Sequence, residues 1–82
     1  MKPRSMKKDF EKWSKMGFVF AFFWDEGFFR VAVSHNDYGR IIWVDSENYH
    51  DALGWALWSL RYGNWKGSEE WAKKTGYKFA KR

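Results

Sequence analysis

The sequence predicts a single α+β domain in the order αβββαα: an N-terminal helix, a three-stranded antiparallel β-sheet, one long helix after strand 3 and a short C-terminal helix. A chain of 82 residues has room for only one hydrophobic core. Hydrophobic residues make up 45% of it and aromatic residues 23%, far more than a disordered chain contains. Apolar residues recur with helical spacing near both ends and in strand-like runs between them. We expect the domain to cover residues 1–82, with basic, partly flexible ends at about 1–4 and 80–82.

The first predicted element is an amphipathic helix over residues 5–16. Met6, Phe10 and Trp13 fall at i, i+4 and i+7 and make one apolar stripe. Lysines fall on the opposite side, and Pro3 marks the entry because proline is not tolerated inside a helix.

Two runs rich in Phe and Val, residues 17–24 and 28–35, predict a β-hairpin. Residues 25–27, Asp-Glu-Gly, predict a three-residue loop that makes Trp24 face Phe28. One sheet face is then wholly apolar, and the other can either stack bases, as open sheets do, or form a second core layer under the terminal helices. That second face holds Phe18, Phe20, Phe22, Trp24, Phe28 and Arg30.

A third strand and a long helix follow. The run 41–44 is apolar on both sides, so both sheet faces are expected to need cover. Asp45 or Ser46 is predicted to cap a helix that ends at Gly63 and has Glu47 in its first turn. The predicted core stripe of this helix is Tyr49, Ala52, Leu53, Ala56 and Leu60.

The last predicted helix is short. Ser68 is expected to cap it, and it runs from Glu69 to about Thr75 and ends at Gly76. Residues 77–79 are expected either to add an edge strand or to lie on the body of the domain.

The element order resembles the double-stranded-RNA-binding domain, and its middle resembles HicB-type antitoxins and the plant ethylene-response-factor DNA-binding domain. The likeness is a hairpin followed by residues 39–46, Gly-Arg-Ile-Ile-Trp-Val-Asp-Ser, and a helix containing residues 51–53, Asp-Ala-Leu. Double-stranded-RNA binders present lysines at the start of the second long helix, where this chain has residues 47–51, Glu-Asn-Tyr-His-Asp. The resemblance therefore implies a packing pattern, and we assign no family from it.

The sequence offers no catalytic or metal-binding pattern. Cysteine is absent, which excludes disulfides, thiolate metal sites and a cysteine nucleophile. His35 and His50 lack the i, i+3 or i, i+4 spacing of a helical metal site. Ser34, His35 and Asp37 are nearly contiguous, whereas the members of a catalytic triad converge from separate elements. We expect a protein that is not an enzyme and has no cofactor.

The apolar run 17–24 is too short to span a membrane, and acidic residues follow it where a secretory signal would have a cleavage site. We therefore expect a cytoplasmic protein without a membrane partner.

Basic residues are concentrated at the two ends of the chain, although the formal net charge is only +5. A positive field of this kind attracts phosphates, but an ordinary solvated helix face has the same composition. The candidate nucleic-acid-binding residues are Lys7, Lys8, Lys12, Lys15, Lys66, Lys73, Lys74 and Lys78, extended by Lys2, Arg4, Lys81 and Arg82.

The long helix carries a second aromatic stripe opposite its core stripe. At about 100° per residue, aromatic side chains fall together where a simple surface helix carries charges. Trp, Tyr and Arg are enriched at interface hot spots, so the stripe predicts a protein interface. The alternative is that residues 65–79 cover it. The candidate interface residues are Asp51, Trp55, Trp58, Arg61, Tyr62 and Trp65.

Together these features predict a small non-enzymatic binding module that docks on a larger protein or nucleoprotein complex and modulates or inhibits it. Its size and composition look like those of small accessory proteins of phages and mobile elements. The alternative is a DNA- or RNA-binding protein that uses the basic terminal segments with aromatic support. The acidic middle of the chain repels phosphates and so favours the protein partner. Homodimerisation through the aromatic stripe is compatible with either function.

Overall fold

The helices and strands follow the predicted order αβββαα in the computed structural model, which describes residues 6–81. The predicted flexible end at 1–4 and the basic residue Arg82 lie outside the described residues. The elements are α1 (Met6–Lys15), β1 (Phe18–Asp25), β2 (Phe28–His35), β3 (Gly39–Ser46), α2 (Tyr49–Arg61) and α3 (Ser68–Thr75).

The strands form one antiparallel sheet in the order β1-β2-β3. Asp25 pairs with Phe28 and Trp24 with Phe29, so the hairpin turn contains two residues and the predicted three-residue loop is wrong. The tighter turn is stabilised by the Asp25 carboxylate, which accepts a hydrogen bond from the Glu26 N–H at 2.8 Å. Gly27 takes the left-handed conformation, with φ 82°, that such a turn needs.

The register decides which side chains enter the core, because a shift of one residue moves a strand's side chains to the other face. Phe20 pairs with Val33 and Phe22 with Val31, so these residues share the face that the helices cover. The predicted grouping of Phe28 and Arg30 with the even-numbered aromatic residues of β1 is therefore wrong. The opposite face, here called the open face, carries Val19, Ala21, Phe23, Phe28, Arg30, Ala32, Ser34, Arg40, Trp43 and Asp45.

The described helices pack on one side of the sheet. The Trp13 ring of α1 and the Trp71 ring of α3 each lie 5.3 Å from the Phe18 ring. These contacts give Phe18 the second-layer cover predicted for it. Val19 and Phe23 on the other side remain exposed, so within residues 6–81 the expectation that both sheet faces are covered is wrong. The buried residues of α2 are Ala52, Leu53, Ala56, Leu57 and Leu60.

The long helix begins later than predicted. Strand β3 continues through Ser46, so neither Asp45 nor Ser46 caps α2, and Glu47 precedes the helix. Its N-cap is Asn48, whose side-chain oxygen accepts hydrogen bonds from two backbone N–H groups of the first turn at 2.8 and 3.3 Å. Leu57 is buried and joins the core stripe, whereas Tyr49, which was predicted to belong to it, is 41% exposed.

The short helix, in contrast, begins one residue earlier than predicted, at Ser68, so Ser68 is not its cap. The N-cap is Gly67, with φ 91°, and it makes no side-chain cap bond. The chain end forms no strand in the part that the structure describes, and lies on the body of the domain. Tyr77 and Phe79 lie 5.2 and 5.9 Å from the Trp71 ring.

Candidate protein interface

Three aromatic side chains form a continuous row on the side of α2 that faces away from the sheet. This aromatic row consists of Trp55, Trp58 and Tyr62. The Trp55 and Trp58 rings meet edge to face at 5.6 Å, and the Trp58 and Tyr62 rings lie 5.2 Å apart. Trp55 is 57% exposed, while the other two are half-buried. The row therefore presents one joined apolar surface to the outside of the domain.

Charged groups flank the aromatic row at both ends. Asp51 is exposed in the first turn of α2. The Arg61 guanidinium lies 5.6 Å from the centre of the Tyr62 ring in the last turn. An apolar centre with a polar rim is the usual anatomy of a protein interface.

A groove between α1 and α2 runs beside the aromatic row. Gly54 lies within it and presents no side chain, and a Cβ there would meet the Met6 sulfur at 3.9 Å. This is an ordinary van der Waals separation, so the Met6 side chain lies beside the backbone of α2 at Gly54. The groove is lined by Met6, Asp9, Gly54, Leu57, Trp58, Arg61 and Tyr62.

Trp65 does not continue the aromatic row, contrary to the sequence-based prediction. It is 9% exposed, and its ring lies 5.5 Å from that of Phe18 and 5.8 Å from that of Trp71. The helix has ended by then, and Gly63, with φ 67°, turns the chain back towards the core. The segment 65–79 therefore packs on the core and leaves Trp55 exposed.

The candidate lysines within the described residues are exposed, and the two basic segments of the chain meet at one place. The Lys12 ammonium donates a hydrogen bond to the Tyr77 hydroxyl at 2.9 Å. Lys78 and Arg61 line the same shallow pocket, together with Asp9. The exposed lysines are Lys7, Lys8, Lys12, Lys15, Lys66, Lys73, Lys74 and Lys78.

One of these lysines is engaged in an ion pair. The Lys74 ammonium lies 3.4 Å from a carboxylate oxygen of Glu70 on the preceding turn of α3. The hydrogen bond to that carboxylate raises the pKa of Lys74 above its ordinary value.

The arrangement of side chains on the open face was missed by the sequence analysis. The Trp43 ring lies between two guanidinium groups, 4.1 Å from that of Arg30 and 4.4 Å from that of Arg40. Asp45 accepts two hydrogen bonds from Arg30 at 2.7 and 3.1 Å, which lower the pKa of Asp45 and raise that of Arg30. The period-two alternation of Trp43 and Asp45 in β3 is the signal that could have found it.

Of the two histidines, His50 borders the aromatic row, where it lines a pocket with Asp51, Trp55 and Trp58. His35 accepts a hydrogen bond at Nδ1 from the Asp37 N–H at 3.2 Å, and His50 is exposed in the first turn of α2. Within residues 6–81, no three His, Asp or Glu side chains lie close enough together to hold a metal ion.

No protein-family model matches this chain, and no curated protein or solved structure matches it. None of the described helices combines the length and the apolar character that crossing a membrane requires. The candidate function therefore rests on the surfaces of the domain itself.

Proposed function

We propose that this domain is a non-enzymatic binding module that docks on a larger protein through the aromatic row and modulates that protein. The observation that carries the proposal is the joined, outward-facing surface of Trp55, Trp58 and Tyr62. Among residues 6–81, none of these rings belongs to the core cluster, whose α2 members lie on the other side of the helix. Inhibition of a protein or nucleoprotein complex, in the manner of small phage and mobile-element proteins, is the mode of action we propose.

The energetics of the aromatic row suit a docking surface. Removing apolar surface from water contributes about 25 cal/mol per Å². Trp and Tyr lose little side-chain entropy on binding because each has two side-chain torsions. The contacts of Trp58 with the rings on both sides hold the row in place before a partner arrives.

The groove beside the row indicates the chemistry of the partner. Met6, Leu57 and Trp58 make it largely apolar. At the rim, Asp51 offers a carboxylate that accepts hydrogen bonds and Arg61 offers a guanidinium that donates them. We therefore expect an amphipathic surface segment that presents an aliphatic or aromatic side chain flanked by polar groups.

Alanine substitution of the row tests the proposal. We expect Trp55→Ala or Trp58→Ala to weaken partner binding by about 30-fold or more, because truncating a hot-spot aromatic side chain costs about 2 kcal/mol or more. Binding is measured by capture from an extract of the cells that make the protein, followed by calorimetry with the captured partner.

Trp43→Ala on the open face is the matched control, because Trp43 is also an exposed tryptophan. It should bind like the wild type. Full affinity in both α2 variants would contradict the proposal, and so would thermal unfolding of both as severe as that of a core variant.

A second candidate function is nucleic-acid binding where the basic ends meet. It is supported by the Lys12–Tyr77 hydrogen bond and by the pocket that Lys12, Tyr77 and Lys78 line together. Reversing the charge at Lys8, Lys12 and Lys15 should then weaken binding about equally for all sequences. The slope of log binding constant against log salt concentration should fall in magnitude by roughly 3, about one for each phosphate that a lysine no longer neutralises. Tryptophan fluorescence during titration with single- and double-stranded DNA and RNA, at two salt concentrations, measures both the affinity and its salt dependence. Unchanged affinity in the triple variant would remove this candidate.

A further inference from the structure

Exposed apolar side chains are concentrated on β1. Val19, Phe22, Phe23 and Trp24 are 58%, 45%, 50% and 70% exposed. Val19 and Phe23 lie on the open face, whereas Phe22 and Trp24 lie on the side of the helices. A partner resting on one face would contact only one of these pairs. A strand placed beside β1 would contact both.

β1 is also an edge strand without the usual protection. Within residues 6–81 it has a neighbouring strand, β2, on one side only. Its residues 18–24 contain no charge and no proline, and its pairing with β2 has no bulge. β3, the other edge of the sheet, carries Arg40 and Asp45 and has a register shift. Natural proteins use charges, prolines and bulges to prevent strand pairing at free edges, so their absence from residues 18–24 of β1 indicates a surface that pairs.

The backbone of β1 is oriented for such pairing. Asp25 and Phe28 close the two-residue turn, so they form a hydrogen-bonded pair. Bonded and non-bonded pairs alternate along an antiparallel ladder, and the odd-numbered residues of β1 therefore bond to β2. The N–H and C=O groups that point to the free edge belong to Phe18, Phe20, Phe22 and Trp24.

We propose that β1 pairs antiparallel with the β1 of a second copy of this chain, so that the two sheets join into one. The charges at the ends of β1 favour this partner and this direction. Lys15 precedes the strand, Asp25 ends it and Glu26 follows it. Antiparallel pairing brings the basic end of each copy beside the acidic turn of the other, whereas parallel pairing would bring like charges together. Residues 18–24 are uncharged, so two chains of net charge +5 meet there without local repulsion.

The hydrogen-bonding pattern allows a two-fold axis through Ala21. This axis pairs Phe18 of one copy with Trp24 of the other, and Phe20 of one copy with Phe22 of the other. Each of these residues directs its free N–H and C=O groups towards the second copy. Such an interface is the same on both copies and closes at two chains, which limits further assembly.

The molar mass of the full-length protein in solution tests the proposal. Light scattering after gel filtration, over a concentration range from micromolar to hundreds of micromolar, should show a rise from one chain to two. Trp24→Lys places a charge on the free edge and should raise the dimer dissociation constant by about tenfold or more. Val19→Lys, on the other face of the same strand, should do the same.

Two further variants separate this interface from other causes. Glu26→Lys should weaken the dimer, and adding Lys15→Glu to it should restore the wild-type dissociation constant. Trp55→Lys in the aromatic row should leave the dimer unchanged, and circular dichroism verifies that each variant is folded. A monomer at every concentration would overturn the proposal. A dimer that Trp55→Lys abolishes and Trp24→Lys leaves intact would also overturn it, because that dimer forms through the aromatic row.

Discussion

Trp13→Ala should lower the free energy of unfolding by about 3–5 kcal/mol, the range for deleting a large aromatic side chain from a core. Trp13 is 1% exposed, and among the described residues it is the largest of the fully buried side chains. Its ring lies 5.3 Å from that of Phe18, 5.9 Å from that of Trp71 and 5.2 Å from that of Tyr77. The substitution therefore removes contacts that join α1 to the sheet, to α3 and to the chain end.

Native domains are stable by about 5–15 kcal/mol, and small ones lie towards the low end, so a loss of this size removes a large part of the stability of the Trp13→Ala variant. Urea unfolding followed by far-ultraviolet circular dichroism measures the effect. Trp55→Ala is the matched control, because it deletes the same side chain from the surface and should change stability by less than about 1 kcal/mol. Equal losses in the two variants would contradict the assignment of Trp13 to the core.

Gly67→Ala is expected to have a large effect on stability, because it combines backbone strain with a collision. Gly67 has φ 91°, which costs a non-glycine residue about 1–2 kcal/mol. An added Cβ would also lie 2.8 Å from the Tyr38 ring. Overpacking adds about 1–3 kcal/mol, so we expect a total loss of about 2–5 kcal/mol.

Gly76→Ala separates the two causes of the Gly67→Ala effect. Gly76 has φ 76°, but a Cβ built there meets no other part of residues 6–81 within 4 Å, its immediate chain neighbours aside. It should therefore show the strain alone, and thermal unfolding of both variants should place Gly67→Ala clearly lower. Equal melting temperatures would mean that the Tyr38 ring moves aside without cost.

The elements of the fold were predictable from sequence because each depends on local spacing. Met6, Phe10 and Trp13 repeat with the period of a helix, and β1 and β2 stand out as runs of Phe and Val. The register between those strands was not predictable, because it depends on whether Asp25 belongs to the turn or to β1. That single residue exchanges the faces on which Phe28 and Arg30 lie, which is why the contacts of the open face were missed.

The aromatic row was predictable for a similar reason. Trp55, Trp58 and Tyr62 belong to one helix, whose geometry fixes their relative directions. Trp65 follows the end of that helix, where the period no longer applies, and the core decides its position. The unprotected edge of β1 follows from the sheet order, which no local pattern reveals.

A photo-crosslinking amino acid at position 55 tests most directly whether the aromatic row is the docking surface. The protein carrying it is irradiated in an extract of the cells that make it, beside a protein carrying the same amino acid at position 43 of the open face. We expect a crosslinked product of one defined partner from position 55, with no such product from position 43. The same partner from both positions, or a partner from position 43 alone, would contradict docking through α2.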